Sequence, residues 1–251
     1  MRNELIKETI KLTPMIFFVV LISSLAYILG GFLVLFRKNW SEKTLLSLVA
    51  LSAGLLLSIA LLDLIPEGQE GINHSSLFVL IGFLIMYLVF LPTTLHRKNG
   101  LENGDLTTVK GLSSGMLLHN FFEGLSIGIS YSADFKLGIF VSIALVIHKI
   151  PEGLSYTSVM LAFLNGRKKT AIYLIIQGIF TWLGAGSAYF LSGLRDHQEQ
   201  IVAMGLSVTA GIFLYLSGTL LLPLINRGTF KSTPLFFIGG ILLYLVLHSI
   251  V

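Results

Sequence analysis

Residues 45–62 read LLSLVALSAGLLLSIALL, a run without Asp, Glu, Lys or Arg. As a helix at 1.5 Å per residue it covers about 27 Å, close to the roughly 30 Å of a bilayer's hydrocarbon core. A helix that is apolar around its whole circumference suits lipid or a deep core, and not a water-facing surface. The run ends in Asp63-Leu64-Ile65-Pro66-Glu67-Gly68. Two carboxylates thus stand one helical turn apart where the apolar stretch stops.

The pattern repeats along the chain. Eight apolar spans are expected, at about 14–36, 44–65, 76–95, 107–131, 136–163, 169–192, 200–224 and 233–251. Their short, polar connections leave no room for a soluble domain, so residues 1–251 read as one transmembrane domain. The expected fold class is an all-α integral membrane protein, an eight-helix bundle. Ten-residue alternating segments are missing, which counts against a transmembrane barrel. Of the 251 residues 54% are hydrophobic and 12% charged, against roughly 25% charged in soluble domains. The formal charge of +4 comes from bases in loops that flank apolar runs, so nucleic acid is not an expected partner, while the lipid bilayer is. With no cysteine there is no disulfide framework and no thiolate ligand. The first span follows a mixed-charge segment without a small-residue cleavage site, so it is expected to be retained.

Loop charge predicts orientation. The connections after the first, third, fifth and seventh spans hold Arg37, Lys38, Lys43, Arg97, Lys98, Lys110, Arg167, Lys168, Lys169, Arg227 and Lys231, 11 of the 17 basic residues. The other side holds Arg2, Lys7, Lys11, Lys136 and Arg195. The positive-inside rule then places both termini outside.

Two near copies carry the chemistry. The fourth span contains His119-Asn120-Phe121-Phe122-Glu123-Gly124-Leu125-Ser126, and the fifth contains His148-Lys149-Ile150-Pro151-Glu152-Gly153-Leu154-Ser155. In each, His and Glu are four apart and share a helix face. Each ionisable group near the bilayer centre costs roughly 2.5–3.5 kcal/mol on insertion scales, so a shared divalent cation would offset several such penalties. Two imidazoles and two carboxylates suit Zn²⁺, Fe²⁺ or Mn²⁺. Lys149 has three options beside such a site: turning away, pairing with a carboxylate, or filling a second cation position. Asp63 and Glu67 form an acidic approach that would concentrate cations. His96, His197 and His248 are read as interface or surface residues.

These segments resemble the ZIP (Zrt/Irt-like) family of divalent-metal transporters. HNFFEG is similar to that family's fourth-helix HNxPEG, and HKIPEG to its fifth-helix HKxPEG; DLIPEG and residues 210–223, AGIFLYLSGTLLLP, look like further family segments. The resemblance implies an eight-helix bundle and metal coordination by His119, Glu123, His148 and Glu152, with Asn120 nearby and Asp63 on the way in. Phe122 stands where the family often has proline. Lys149 and Thr181 stand where some relatives have acids, so one main ion site is expected. The implied activity is alternating-access transport of a divalent metal, zinc first, toward the cytoplasm, in which another helix group including the first and seventh shifts against the fourth and fifth. The metal is cargo, and no prosthetic group is expected. A bacterial inner membrane and a homodimer are compatible with so short a chain. The alternative is an intramembrane metal-dependent hydrolase, against which the missing HExxH counts.

Overall fold

The computed structural model describes residues 2–37, 40–96, 106–133, 135–164, 166–190, 197–226, 230 and 232–249. Of the basic residues used for orientation, Lys38, Arg97, Lys98, Arg195, Arg227 and Lys231 lie outside the described residues. The described chain is all helical: α1 (Arg2–Phe36), α2 (Glu42–Ile59), α3 (Ile65–Gly71), α4 (Ser75–His96), α5 (Leu106–Ala133), α6 (Phe135–Leu164), α7 (Arg167–Phe190), α8 (Gln198–Tyr215), α9 (Leu222–Asn226) and α10 (Thr233–His248). A π segment, Ala60–Leu64, joins α2 to α3, and another, Leu216–Leu221, joins α8 to α9. These junctions make eight rods among the described residues.

Both π segments come just before a proline, Pro66 and Pro223. Proline lacks an N–H and crowds the carbonyl of the preceding turn, and a locally widened turn relieves both problems without ending the rod. The second expected span therefore runs past residue 65 to Gly71, with Asp63 inside the π segment. Its start is fixed by Ser41, whose hydroxyl accepts from the Thr44 amide at 3.2 Å.

Among the described residues, four helices are long and apolar enough to cross a membrane: Pro14–Phe36, Glu42–Gly71, Arg167–Phe190 and Gln198–Leu221. Shorter apolar helices cover Ser75–Leu91 and Thr233–His248. The two motif helices, α5 and α6, carry His, Asn, Glu and Lys in their middles. Phe17, Leu29, Leu84, Leu88, Ile172, Ile179, Leu235 and Leu242 are exposed, whereas His119, Asn120, Glu123, Lys149, Glu152 and Gln177 are buried. Apolar outside and polar within reverses the arrangement water selects and matches a protein in lipid.

The main packing partners are α5 with α7, α1 with α6, α2 with α10, and α4 with α8. Exchanging α1 with α7, α2–α3 with α8–α9, α4 with α10 and α5 with α6 maps this set onto itself. Each pair crosses at reciprocal glycines. Gly30 lies on the Ile150 carbonyl and Gly153 on that of Tyr27; Gly184 lies on Phe121 and Gly124 on Thr181. In the same way Gly54 meets Phe237 and Gly240 meets Leu51, while Gly82 meets Val208 and Gly211 meets Val79. In all four crossings the carbonyl touched belongs to the residue three before the partner's glycine. A Cβ at any of these positions would overlap backbone, so glycine is what permits the approach.

Candidate metal centre

Helices α5 and α6 are antiparallel. Tyr131 covers Gly138 at one end, Glu123 meets His148 and Lys149 in the middle, and Ser113 meets Tyr156 at the other. This register brings the two copied motifs to the same depth. One ligand atom from each of His119, Glu123, His148 and Glu152 lies within 4.8 Å of the others. His119 Nε2 is 3.1 Å from Glu123 Oε1 and 3.4 Å from Glu152 Oε1, and His148 Nε2 is 2.8 Å from Glu123 Oε1. The α6 helix runs unbroken through Pro151, so His148 and Glu152 keep their shared face.

Lys149 resolves into the second of its three options. Its ammonium donates to Glu123 Oε2, to Glu152 Oε2 at 2.8 Å and to Asn120 Oδ1 at 2.7 Å. It also lies 5.4 Å from the centre of the Tyr27 ring on α1. The two carboxylates thus split their oxygens: Oε2 of each faces the lysine, and Oε1 of each faces the histidines. With all three ammonium hydrogens engaged, the buried cation is fully hydrogen-bonded.

On the histidine side the pairing is incomplete. Among the described residues, His119 Nδ1, His119 Nε2 and Glu152 Oε1 have no hydrogen-bond partner. Buried polar atoms are ordinarily satisfied, so His119 Nε2 and Glu152 Oε1, unpaired and 3.4 Å apart, mark a place for a ligand. Around one tetrahedral Zn²⁺, ligand atoms about 2.0–2.2 Å from the ion stand roughly 3.4 Å apart, so atoms at the 4.8 Å limit would draw together by roughly 1.4 Å on binding.

Asn120 and Asp63 lie outside this four-atom group. The Asn120 amide is committed to Lys149, to the Met116 carbonyl at 2.9 Å and to Gln177 Oε1 at 3.2 Å. Asp63 lies with Glu67 and Ser126 along a cavity that reaches His119, Glu123 and His148. His148, 13% exposed, is the most open of the four motif groups and lines that cavity. His248, read from the sequence as an interface or surface residue, holds its Nδ1 3.2 Å from Asp63 Oδ1. The sequence reading also passed over Gln177. A lone amide in the apolar run Ile175-Ile176-Gln177-Gly178-Ile179 was the signal available, because polar groups inside spans are seldom idle.

Comparison with known proteins agrees with this geometry. A family model described as ZIP Zinc transporter matches residues 104–248. The zinc transporter ZupT of Akkermansia muciniphila is 27% identical over 255 aligned residues, covering 91% of this chain and 94% of that protein. An uncharacterised protein of Methanocaldococcus jannaschii is 26% identical over 209 residues, covering 78% of this chain and 81% of its own length. Human zinc transporter ZIP10 is 31% identical over 113 residues, which span 44% of this chain and 13% of that protein. The matched region contains both copied motifs and runs from α5 to α10, and the chain belongs to the ZIP zinc transporter family.

Proposed function

We propose that the protein carries Zn²⁺ across a bacterial cell membrane toward the cytoplasm, with His119, Glu123, His148 and Glu152 as the mid-membrane ligands. The convergence of four ligand atoms from two neighbouring helices carries this reading. Fe²⁺ and Mn²⁺ suit the same ligands, and the zinc transporters among the relatives favour zinc. The eight rods are read as eight spans in one transport domain. The ionisable faces of α5 and α6 are buried among the other helices, which is how such groups are tolerated in lipid. Both termini outside follows from the 11:5 distribution of loop bases.

One ion is carried at a time. The Lys149 ammonium already lies against both Oε2 atoms, where a second cation would need to bind. Asp63 and Glu67 attract cations at the mouth of the cavity, and Asn120 supports the site through Lys149.

The reciprocal glycine crossings support a particular division of labour. They link α1 to α6 and α5 to α7 on one hand, and α2 to α10 and α4 to α8 on the other. The first set joins the ion-holding helices to each other's neighbours, so α1 travels with the ion helices instead of shifting against them. Movement occurs at the seam where α2, α4 and α8 meet α5 and α6. Membership of a transporter family favours this cycle over the hydrolase alternative.

The test is uptake of radioactive zinc into proteoliposomes, with unlabelled Fe²⁺ and Mn²⁺ as competitors. Saturable uptake by the native protein, reduced to the level of empty liposomes in folded His148→Ala and Glu152→Ala, supports the assignment. Native uptake in either variant overturns this ligand set.

A further inference from the structure

Gln177, on α7, is completely buried and touches none of the four motif groups, yet it is bonded to both helices that carry them. Its Nε2 donates to the Ser113 carbonyl at 3.1 Å, to Ser113 Oγ at 3.2 Å and to Tyr156 OH at 3.0 Å. Its Oε1 accepts from Asn120 Nδ2 at 3.2 Å. The Ser113 carbonyl can only accept, so the nitrogen end of the Gln177 amide is fixed toward it and the oxygen end toward Asn120. That in turn fixes Asn120. Its nitrogen end is held by Gln177 Oε1 and the Met116 carbonyl, which leaves Oδ1 pointing at Lys149. The Ser113 and Met116 backbone carbonyls thus set the polarity of two consecutive amides that also bond each other, and the second presents an acceptor to the ammonium.

We infer that Gln177 is a positioning residue: through Asn120 it parks the Lys149 ammonium on the Oε2 side of Glu123 and Glu152, and so reserves their Oε1 side for the transported ion. The inference rests on the ion-site reading above and adds the element that keeps the tethered cation from competing with the free one. Lysine has a flexible four-carbon stem and three rotatable donors, so two carboxylates alone do not dictate which of their oxygens it takes. The third acceptor, Asn120 Oδ1, lies on one side only and breaks that tie. Without Gln177 only the Met116 carbonyl holds the nitrogen end of Asn120. The amide is then set less tightly, and Lys149 loses part of the acceptor that keeps it from the ion's place.

Two measurements on the purified full chain test this. The first is acylation of Lys149 by acetic anhydride without zinc, followed by peptide mass spectrometry with exposed Lys43 as the internal reference. Lys149 is expected to be protected in the native protein and to react about tenfold faster in Gln177→Met, the factor that follows from losing a buried hydrogen bond to a charged group. Gln177→Asn keeps an amide of shorter reach, disturbs the packing least, and is expected to raise the rate in the same direction. Native-like protection in either folded variant, or Lys149 reacting as fast as Lys43 in the native protein, overturns the proposal. The second is zinc affinity by calorimetry. Gln177→Met is expected to weaken binding about tenfold in the native background and to have no effect in a Lys149→Met background. An equal loss in both backgrounds would mean a general packing role and overturns it as well. The acylation arm needs no metal, so the ion-site reading and this one can fail separately.

Discussion

Nε2 of His119 on α5 and Oε1 of Glu152 on α6 lie 3.4 Å apart, and neither atom takes part in a hydrogen bond among the described residues. The two atoms are in range of each other without the alignment of a bond, an arrangement a cation seated between them completes. Zinc that binds only the folded state raises stability by about 2.7 kcal/mol at a hundred times its dissociation constant. Added zinc should therefore raise the thermal midpoint of the native protein, and a chelator should reverse the shift. In His119→Ala and Glu152→Gln the zinc-induced shift should be lost, as read by differential scanning fluorimetry in detergent.

Lys149 stabilises the metal-free state by neutralising Glu123 and Glu152. Removing one partner of a buried ion pair typically costs about 3–5 kcal/mol, because the remaining charge stays uncompensated. Lys149→Met should unfold at a lower temperature than the native chain without metal, and zinc should restore more stability to it than to the native chain. Bound metal counted by mass spectrometry should rise above one per chain in the variant. A variant as stable as the native protein without metal would contradict this account of the lysine.

Glycine at a reciprocal crossing should tolerate no side chain. Gly54 lies on the Phe237 carbonyl, whereas Gly239, on the partner helix, has nothing within 4 Å of its would-be Cβ. Gly54→Ala is expected to destabilise by about 1–3 kcal/mol through overpacking. Gly239→Ala should be neutral or slightly stabilising, since alanine is the better helix former. Thermal unfolding of the two variants in parallel gives the comparison.

Asp63 acts at a distance from the ligands. Asp63→Asn should raise the half-saturating zinc concentration while leaving the maximal uptake rate close to native. Because the attraction is electrostatic and partly solvated, the gap between variant and native should narrow as salt is raised. A lowered maximal rate with unchanged half-saturation would place Asp63 in the carrying step instead.

Orientation is open to direct labelling because the chain has no cysteine of its own. A membrane-impermeant thiol reagent applied to intact cells should modify Asn73→Cys and leave Gly166→Cys unmodified. The reverse pattern would invert the topology.

The sequence alone determined the solvent and the type of chemistry. Apolar runs such as residues 45–62 have only one comfortable surrounding, and His and Glu at a spacing of four share a helix face whatever packs around them. The duplication of that spacing in neighbouring helices was enough to single out the four groups that converge, because these are local properties of a regular helix. Which oxygens face the ion, the parking of Lys149, the link from Gln177 through Asn120, and the pairing of His248 with Asp63 were decided only by tertiary packing. Those contacts join residues 29, 57 or 185 positions apart, and their geometry depends on how closely glycines let the rods approach and on the register at which α5 and α6 meet. Helical periodicity places a side chain on a face of its own helix; which atom it meets across the gap depends on the neighbour's depth and rotation, and these emerge only when the whole bundle packs.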